Sequence, residues 1–147
     1  MAGEPSLRTD TSPKSALVVL LDTNFLLLPF QRRIDIFEEI GRLVGEHVEF
    51  LVLTQILNEL RWLAESGKMK ERRLAASSLQ LVEQYCRVID ESTTSTNGLD
   101  ADSALLKYAS ATGSIVATND RELRHKLVKQ SCRVIFLRKL AFLAITK

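Results

Sequence analysis

Residues 17–24 read Leu-Val-Val-Leu-Leu-Asp-Thr-Asn, and the fold class turns on this stretch. Its apolar run does not alternate with polar residues, as a half-solvated strand would. It fits a short strand covered on both faces, the pattern of a parallel sheet. Asp22 follows at once, where the chain leaves the sheet. A carboxylate directly behind a buried apolar strand is a poor choice for stability alone. Working outward, the same alternation of elements repeats. Ile36, Phe37, Ile40, Leu43 and Val44 have helical spacing within 34–44, with Gly45 as a stop. Residues 50–53 read as a strand. Thr54 can cap a helix with Ile56, Leu57, Leu60, Leu63 and Ala64 inward, and Ser66-Gly67 ends it. A third helix is predicted over 70–85, with a stripe of Leu74, Leu81, Val82 and Tyr85, followed by a short strand at 88–89. After a polar loop at 91–98, helix 102–112, strand 114–118, helix 120–130 and strand 134–137 follow, and a short tail can be helical. Strands separated by helices imply an α/β fold with a parallel sheet and helices on both faces. In such sheets ligands sit outside the carboxyl ends of the strands.

The 147 residues are 46% hydrophobic and 26% charged, near the globular average. That excludes a disordered chain. The longest pure apolar run, 16–21, is far below the roughly 20 residues of a membrane helix, so no membrane association is expected. Residues 1–15 hold Gly, two Pro and several Ser/Thr and read as a flexible leader without a secretory signal. Residues 16–147 then form one domain. Cys86 and Cys132 are too few for a disulfide framework or a four-ligand zinc site, and a reducing cytoplasm is the expected setting. They read as core packing, and His47 and His125 as surface residues. Charge is uneven: residues 121–147 carry eight Lys/Arg against one acid, Glu122, a local charge of +7, against a net charge of +2 for the chain. Such asymmetry fits either nucleic-acid contact or a solvated basic face. Residues 81–89 echo 127–135 at seven of nine positions, both at helix-to-strand junctions. The echo occurs only twice, so no repeat architecture follows.

The acids at element ends carry the chemistry. Asp22 and Asp120 follow strands and belong on the carboxyl edge of the sheet. Asp100 and Asp102 stand where the helix leading into the 114–118 strand begins. Glu59 borders the inner face of the helix that follows the 50–53 strand. Each has a plain reading as well: Asp100 or Asp102 as an N-cap, Asn119 with Glu122 as a capping box, Asp120 at the positive end of a helix dipole. Those readings do not explain the shared edge. Two carboxylates 4 Å apart repel by about 4 kcal/mol at an effective dielectric near 20, so either some protonate or a cation sits among them. With only oxygen ligands, a hard ion is expected, Mg²⁺ or Mn²⁺. Such an ion lowers the pKa of bound water and clamps a phosphodiester. The basic C-terminal third, with Arg121, Arg124, Lys126 and Lys129, can then carry a phosphate backbone.

The ordered set resembles the PIN-domain nucleases. It comprises Val18-Val19-Leu20-Leu21-Asp22-Thr23-Asn24, Leu57-Asn58-Glu59-Leu60, Asp102 with Ala104-Leu105-Leu106, and Val116-Ala117-Thr118-Asn119-Asp120-Arg121-Glu122-Leu123. It spans about residues 17–137. The resemblance implies a three-layer α/β/α sandwich with a central parallel sheet of about four to five strands. It also implies an endoribonuclease acting on single-stranded or structured RNA with Mg²⁺ or Mn²⁺. Asp22, Glu59, Asp102 and Asp120 would be the catalytic, metal-holding acids, with Asn24, Asp100, Thr118 and Asn119 as supporting polar residues. Thr118 to Leu123 is more similar to the branch that processes ribosomal RNA than to the toxin branch. One departure stands out: where that branch often has an aspartate directly after the third acid, this chain has Ser103, with Asp100 two residues before Asp102. Either Asp100 reaches the ion through a water or one metal position is weaker. The alternatives carried forward are a toxin ribonuclease with an antitoxin, and a catalytically weak module that binds RNA or a ribosome-assembly factor. The resemblance is also compatible with a homodimer, for which apolar residues in the 25–30 stretch offer an interface.

Overall fold

Leu17–Leu21 forms strand β1, whose last three residues are fully buried. That burial requires neighbours on both edges and layers on both faces, and the rest of the chain supplies them. The computed structural model describes residues 17–45, 47–90, 96, 98–139 and 142–146; the leader at 1–15 and most of the 91–98 loop lie outside them. Three helices follow β1: α1 (Thr23–Leu26), α2 (Leu28–Arg32) and α3 (Ile36–Val44). Then come β2 (Val48–Leu53), α4 (Thr54–Ser66), α5 (Met69–Tyr85) and β3 (Cys86–Ile89). The second half holds α6 (Ala101–Thr112), β4 (Ile115–Ala117), α7 (Arg121–Lys129), β5 (Val134–Arg138) and β6 (Phe142–Ile145).

The sheet order is β3-β2-β1-β4-β5-β6. The first five strands are parallel and β6 runs antiparallel to β5. The connections β1-β2-β3 step one way from β1, and β4-β5 steps the other. Right-handed crossovers therefore put α4 and α5 on one face and α6 and α7 on the opposite one. Packing agrees: α4 lies on α5, α1 on α4, α2 on α5, and α6 on α7. The place where the strand order reverses is the β1/β4 edge, the crevice where open sheets of this class bind ligands.

The α/β class and parallel sheet agree with the sequence expectation, and four details differ. The sheet has six strands rather than four or five. The tail is a strand, because the outer edge of β5 presents unpaired N–H and C=O groups that a hairpin partner satisfies; Lys139, at φ 59, turns the chain back. Helix α4 begins at Thr54 with Leu53 in the cap position, so Thr54 is the first helical residue and not its cap. The inner face of α5 is Ala75, Ser78 and Val82, while Tyr85 is exposed. The small faces of Ala75 and Ser78 let α5 approach closely, and the buried Ser78 hydroxyl donates to the carbonyls of Leu26 and Leu74. Of the 25–30 stretch, Phe25, Leu26 and Leu28 join the core and Phe30 remains exposed. Gly45 and Gly113 end α3 and α6 at φ 68 and 74, a conformation that glycine adopts without strain. No helix among the described residues is long and apolar enough to cross a membrane.

A candidate acidic site at the carboxyl edge of the sheet

The backbone N–H of Asp22 donates to the Ala117 carbonyl at 3.0 Å, extending the β1/β4 ladder by one residue. This locks the aspartate at the crevice, only 5% exposed. A charge so placed needs partners, and it has three, two from the residues that follow it and one from the end of the neighbouring strand. Oδ1 accepts from the Thr23 N–H at 2.7 Å, capping α1. Oδ2 accepts from the fully buried Thr118 hydroxyl at 2.6 Å and the Asn24 amide at 3.3 Å. Thr118 directly follows β4, and its hydroxyl also accepts from the Asp120 N–H at 3.1 Å. Asn24 in turn accepts from the Asn119 N–H at 3.1 Å, and Asn119 accepts from the Leu137 N–H at 2.8 Å. Three strand ends are thereby tied together by short polar side chains.

Asp120 caps α7, accepting from the Leu123 N–H at 3.1 Å. The capping box expected of Asn119 and Glu122 is therefore not formed: Asn119 bridges to β5, and the cap falls to the next residue. Asp100 caps α6 through the Ser103 N–H at 2.8 Å, and Asp102 stands exposed in the first turn. Glu59, exposed on α4, accepts a hydrogen bond from the Thr23 hydroxyl. Thr23 was part of the sequence motif without a role assigned. Its signal was its place between two residues that bind the strand ends.

The carboxylates feel one another. Burial pushes Asp22 up to about 6, against the pull of the Thr118 and Thr23 hydrogen bonds, with Asp102 and Glu59 raising it further. Asp102 is raised by burial, then by Asp120, Asp100 and Glu59, with Lys126 opposing. Asp100 moves the other way, lowered by the backbone and hydroxyl of Ser103 and by Lys126. Asp22 and Asp102 each feel Glu59, and Asp102 also feels Asp120 and Asp100, so these acids lie near one edge of the sheet. Among the described residues, no three acid, histidine or cysteine side chains stand close enough to hold one ion by direct ligation. The donor set nonetheless fits Mg²⁺ or Mn²⁺. Mg²⁺ keeps several waters and needs only one or two carboxylates, and a group of acids that hinder each other's ionisation is relieved by a cation.

The basic residues divide. Arg121 and Arg124 line a cleft of about 400 Å³ with Asn119, Phe136 and Leu137, and the Arg124 guanidinium lies 4.1 Å over the Phe136 ring. Lys126 reaches Asp100 and Asp102 electrostatically. Lys129 is in the last turn of α7, some 12 Å along the axis from the cap, and is not brought to the acidic edge. On the other side a cleft of about 440 Å³ runs along Thr23, Asn58, Glu59, Trp62 and Leu63. A larger one, about 640 Å³, lies away from the acids beside Phe30, Phe37 and Tyr85. His47 and His125 are exposed. Both cysteines are free thiols, and burial pushes Cys86 up to about 12, which leaves it inert.

A profile of the PIN-like domain matches residues 19–140. Ribonuclease VapC4 of Methanocaldococcus jannaschii is 32% identical over 130 residues, covering 86% of this chain and 95% of its own. Ribonuclease VapC9 of Archaeoglobus fulgidus is 29% identical over 120 residues, 82% of each chain. Among solved structures, the PIN domain endonuclease Utp24 superposes with a TM-score of 0.71 at 19% identity, over 87% of this chain and 90% of that one. At that identity the likeness concerns the fold.

Proposed function

This chain belongs to the PIN-like domain family, and from that premise we propose that it is an endoribonuclease that hydrolyses phosphodiester bonds of single-stranded RNA with Mg²⁺ or Mn²⁺. One observation carries the reading: a nearly buried carboxylate, Asp22, is held at the strand-order reversal by Thr118, Asn24 and Thr23, and faces Asp102 and Glu59. The ribonuclease names of VapC4 and VapC9 support the same class of reaction.

In this reading Asp22, Asp102 and Asp120 would hold the ion, one or two of them directly and the rest through its waters, with Glu59 completing the set through water. A divalent ion there supplies Lewis acidity toward the phosphodiester and lowers the pKa of a bound water. Thr118 and Asn24 fix the Asp22 carboxylate, so that no reorganisation is needed when charge builds on the phosphate. Thr23 orients Glu59. Arg121 and Arg124 receive the RNA backbone beyond Asp120, and Lys126 balances the excess negative charge on α6. Asp100 is engaged as a cap and reaches an ion only through water.

The test is cleavage of labelled single-stranded RNA by the wild-type chain and Asp22→Asn, each with Mn²⁺, Mg²⁺ or excess EDTA. Cleavage by wild type alone, abolished by EDTA, is the expected result. Equal cleavage by both proteins would remove Asp22 from the mechanism, and RNA binding without cleavage would favour the binding module. Within the ribonuclease reading, the Thr118 to Leu123 stretch supports a role in ribosomal RNA processing, and the two VapC-named relatives support a toxin ribonuclease restrained by an antitoxin. Growth arrest on expression, relieved by the product of an adjacent small reading frame, would select the second.

A further inference from the structure

The acidic edge continues into a cleft of different chemistry. Thr23 lines it together with Gln55, Asn58, Glu59, Trp62 and Leu63 of α4. Trp62 is 61% exposed, off the apolar stripe that holds α4 to the core, so its indole adds little to the fold. Residues three and four apart on a helix are surface neighbours, which sets Asn58 and Glu59 one turn from Trp62. Helical side chains lean toward the N-terminus, so the indole tilts toward that turn, about 4.5 Å back along the axis. The only charge in the lining is the Glu59 carboxylate. Such a cleft repels phosphate and has room for a neutral, flat, hydrogen-bonding group.

We propose that Trp62 is the stacking platform for a nucleobase adjacent to the scissile phosphate, and that Asn58 reads the edge of that base. The inference rests on the ribonuclease reading and adds a subsite to it. RNA-binding surfaces separate these two tasks: cations or bound ions take the backbone, and aromatic faces take unstacked bases. Here the backbone side is Arg121 and Arg124 with the ion-binding acids, and the base side is the Trp62 cleft across the crevice. The Asn58 amide carries both a donor and an acceptor, so it can favour one base over another where the indole cannot. Trp62 is a positioning residue, acting on where the substrate lies.

Trp62 is the only tryptophan in the chain, so intrinsic emission reports on it directly. Rapid mixing of the wild-type protein with a single-stranded oligoribonucleotide and Mg²⁺ is expected to quench that emission saturably before turnover. An abasic oligonucleotide of equal length is expected to leave it unchanged. Trp62→Ala should raise KM roughly five- to a hundredfold with kcat within about twofold, and Trp62→Phe should restore most of the loss. Asn58→Ala should flatten the preference among homopolymeric substrates. Emission unmoved by RNA that is nevertheless cleaved would overturn the proposal, leave the ribonuclease reading standing, and point to a protein partner on this face. An unchanged KM in Trp62→Ala would overturn it equally. Quenching without cleavage would keep Trp62 as an RNA contact but overturn its place beside a scissile phosphate together with the catalytic reading. RNA that is neither bound nor cleaved would remove both.

Discussion

Asp22 and Asp100 do the same local job. Each precedes a helix, each has extended backbone, and each accepts a backbone N–H, at 2.7 and 2.8 Å. Their carboxyls nevertheless move in opposite directions, Asp22 up to about 6 and Asp100 below its usual value. The difference lies in what stands behind the cap. Asp100 meets solvent and Lys126, so its hydrogen bonds to Ser103 outweigh a smaller desolvation. Asp22 meets the end of a buried strand and the fields of Asp102 and Glu59, and desolvation outweighs its three hydrogen bonds. A cap is a matter of local sequence, whereas a reactive carboxylate requires the centre of a sheet.

The largest contrast should appear in catalysis. Asp22→Asn keeps the cap and the shape but loses the charge, and should reduce metal-dependent RNA cleavage by about a thousandfold, the scale of several kcal/mol of ion-mediated stabilisation. Asp100→Asn should stay within a few-fold of wild type in the same assay. A comparable collapse for Asp100→Asn would erase the distinction.

Stability in EDTA gives the next contrast. The folded chain keeps a proton on Asp22 to about pH 6, whereas the unfolded chain releases it near 3.8. Between those values the native state binds more protons, so unfolding free energy falls as pH rises, by about 3 kcal/mol at most. Urea titrations from pH 4 to 7 should show that slope in wild type and a shallower one in Asp22→Asn, where Asp102 remains raised. Added Mn²⁺ at pH 7 should raise the Tm of wild type alone, because an ion that binds only the folded state shifts the equilibrium toward it. A wild-type slope of the opposite sign would mean that the hydrogen bonds outweigh burial.

Smaller effects isolate the supports. Thr118→Val preserves volume and deletes the hydroxyl between Asp22 and Asp120, a bond of the charge-assisted class worth about 1.5–3 kcal/mol. Activity should fall about tenfold, with Thr118→Ser restoring it. Least of all, Asp100→Ala should lower Tm slightly by uncapping α6 while cleavage persists. A larger loss of stability from Asp100→Ala than from Thr118→Val would reverse the order of importance given to the two regions.

Much of this was legible because it is local. Five apolar residues without alternation predict a strand covered on both faces, and β1 is one. Asp22 and Thr118 stand at the carboxyl edge because each directly follows a strand, with Asp120 two residues further on, and Asn24 and Thr118 both donate to Asp22. What escaped depended on distant partners. Thr23 acquires its bond to Glu59 only when α1 and α4 pack side by side. Asn119 or Asp120 could each have capped α7, and the choice follows from Asn119 reaching Leu137 on β5. The tail's pairing with β5 is equally non-local.

The echo between residues 81–89 and 127–135 separates the two sources of information most cleanly. Both segments carry Leu-Val, Gln, and Cys-Arg-Val-Ile in register, and in both a helix ends and a strand begins, as local propensity and periodicity dictate. In the first, Cys86 is half-buried and Val88 38% exposed, because β3 is the edge of the sheet. In the second, Cys132, Val134 and Ile135 are buried, because β5 lies between β4 and β6. Sequence by itself determined the five parallel strands, the longer helices, their order and the acids at their ends, since these follow from backbone preference and side-chain period. Only the tertiary structure decided which strand is central, which carboxylate is desolvated and which aromatic stays exposed, because burial belongs to a residue's neighbours and not to the residue.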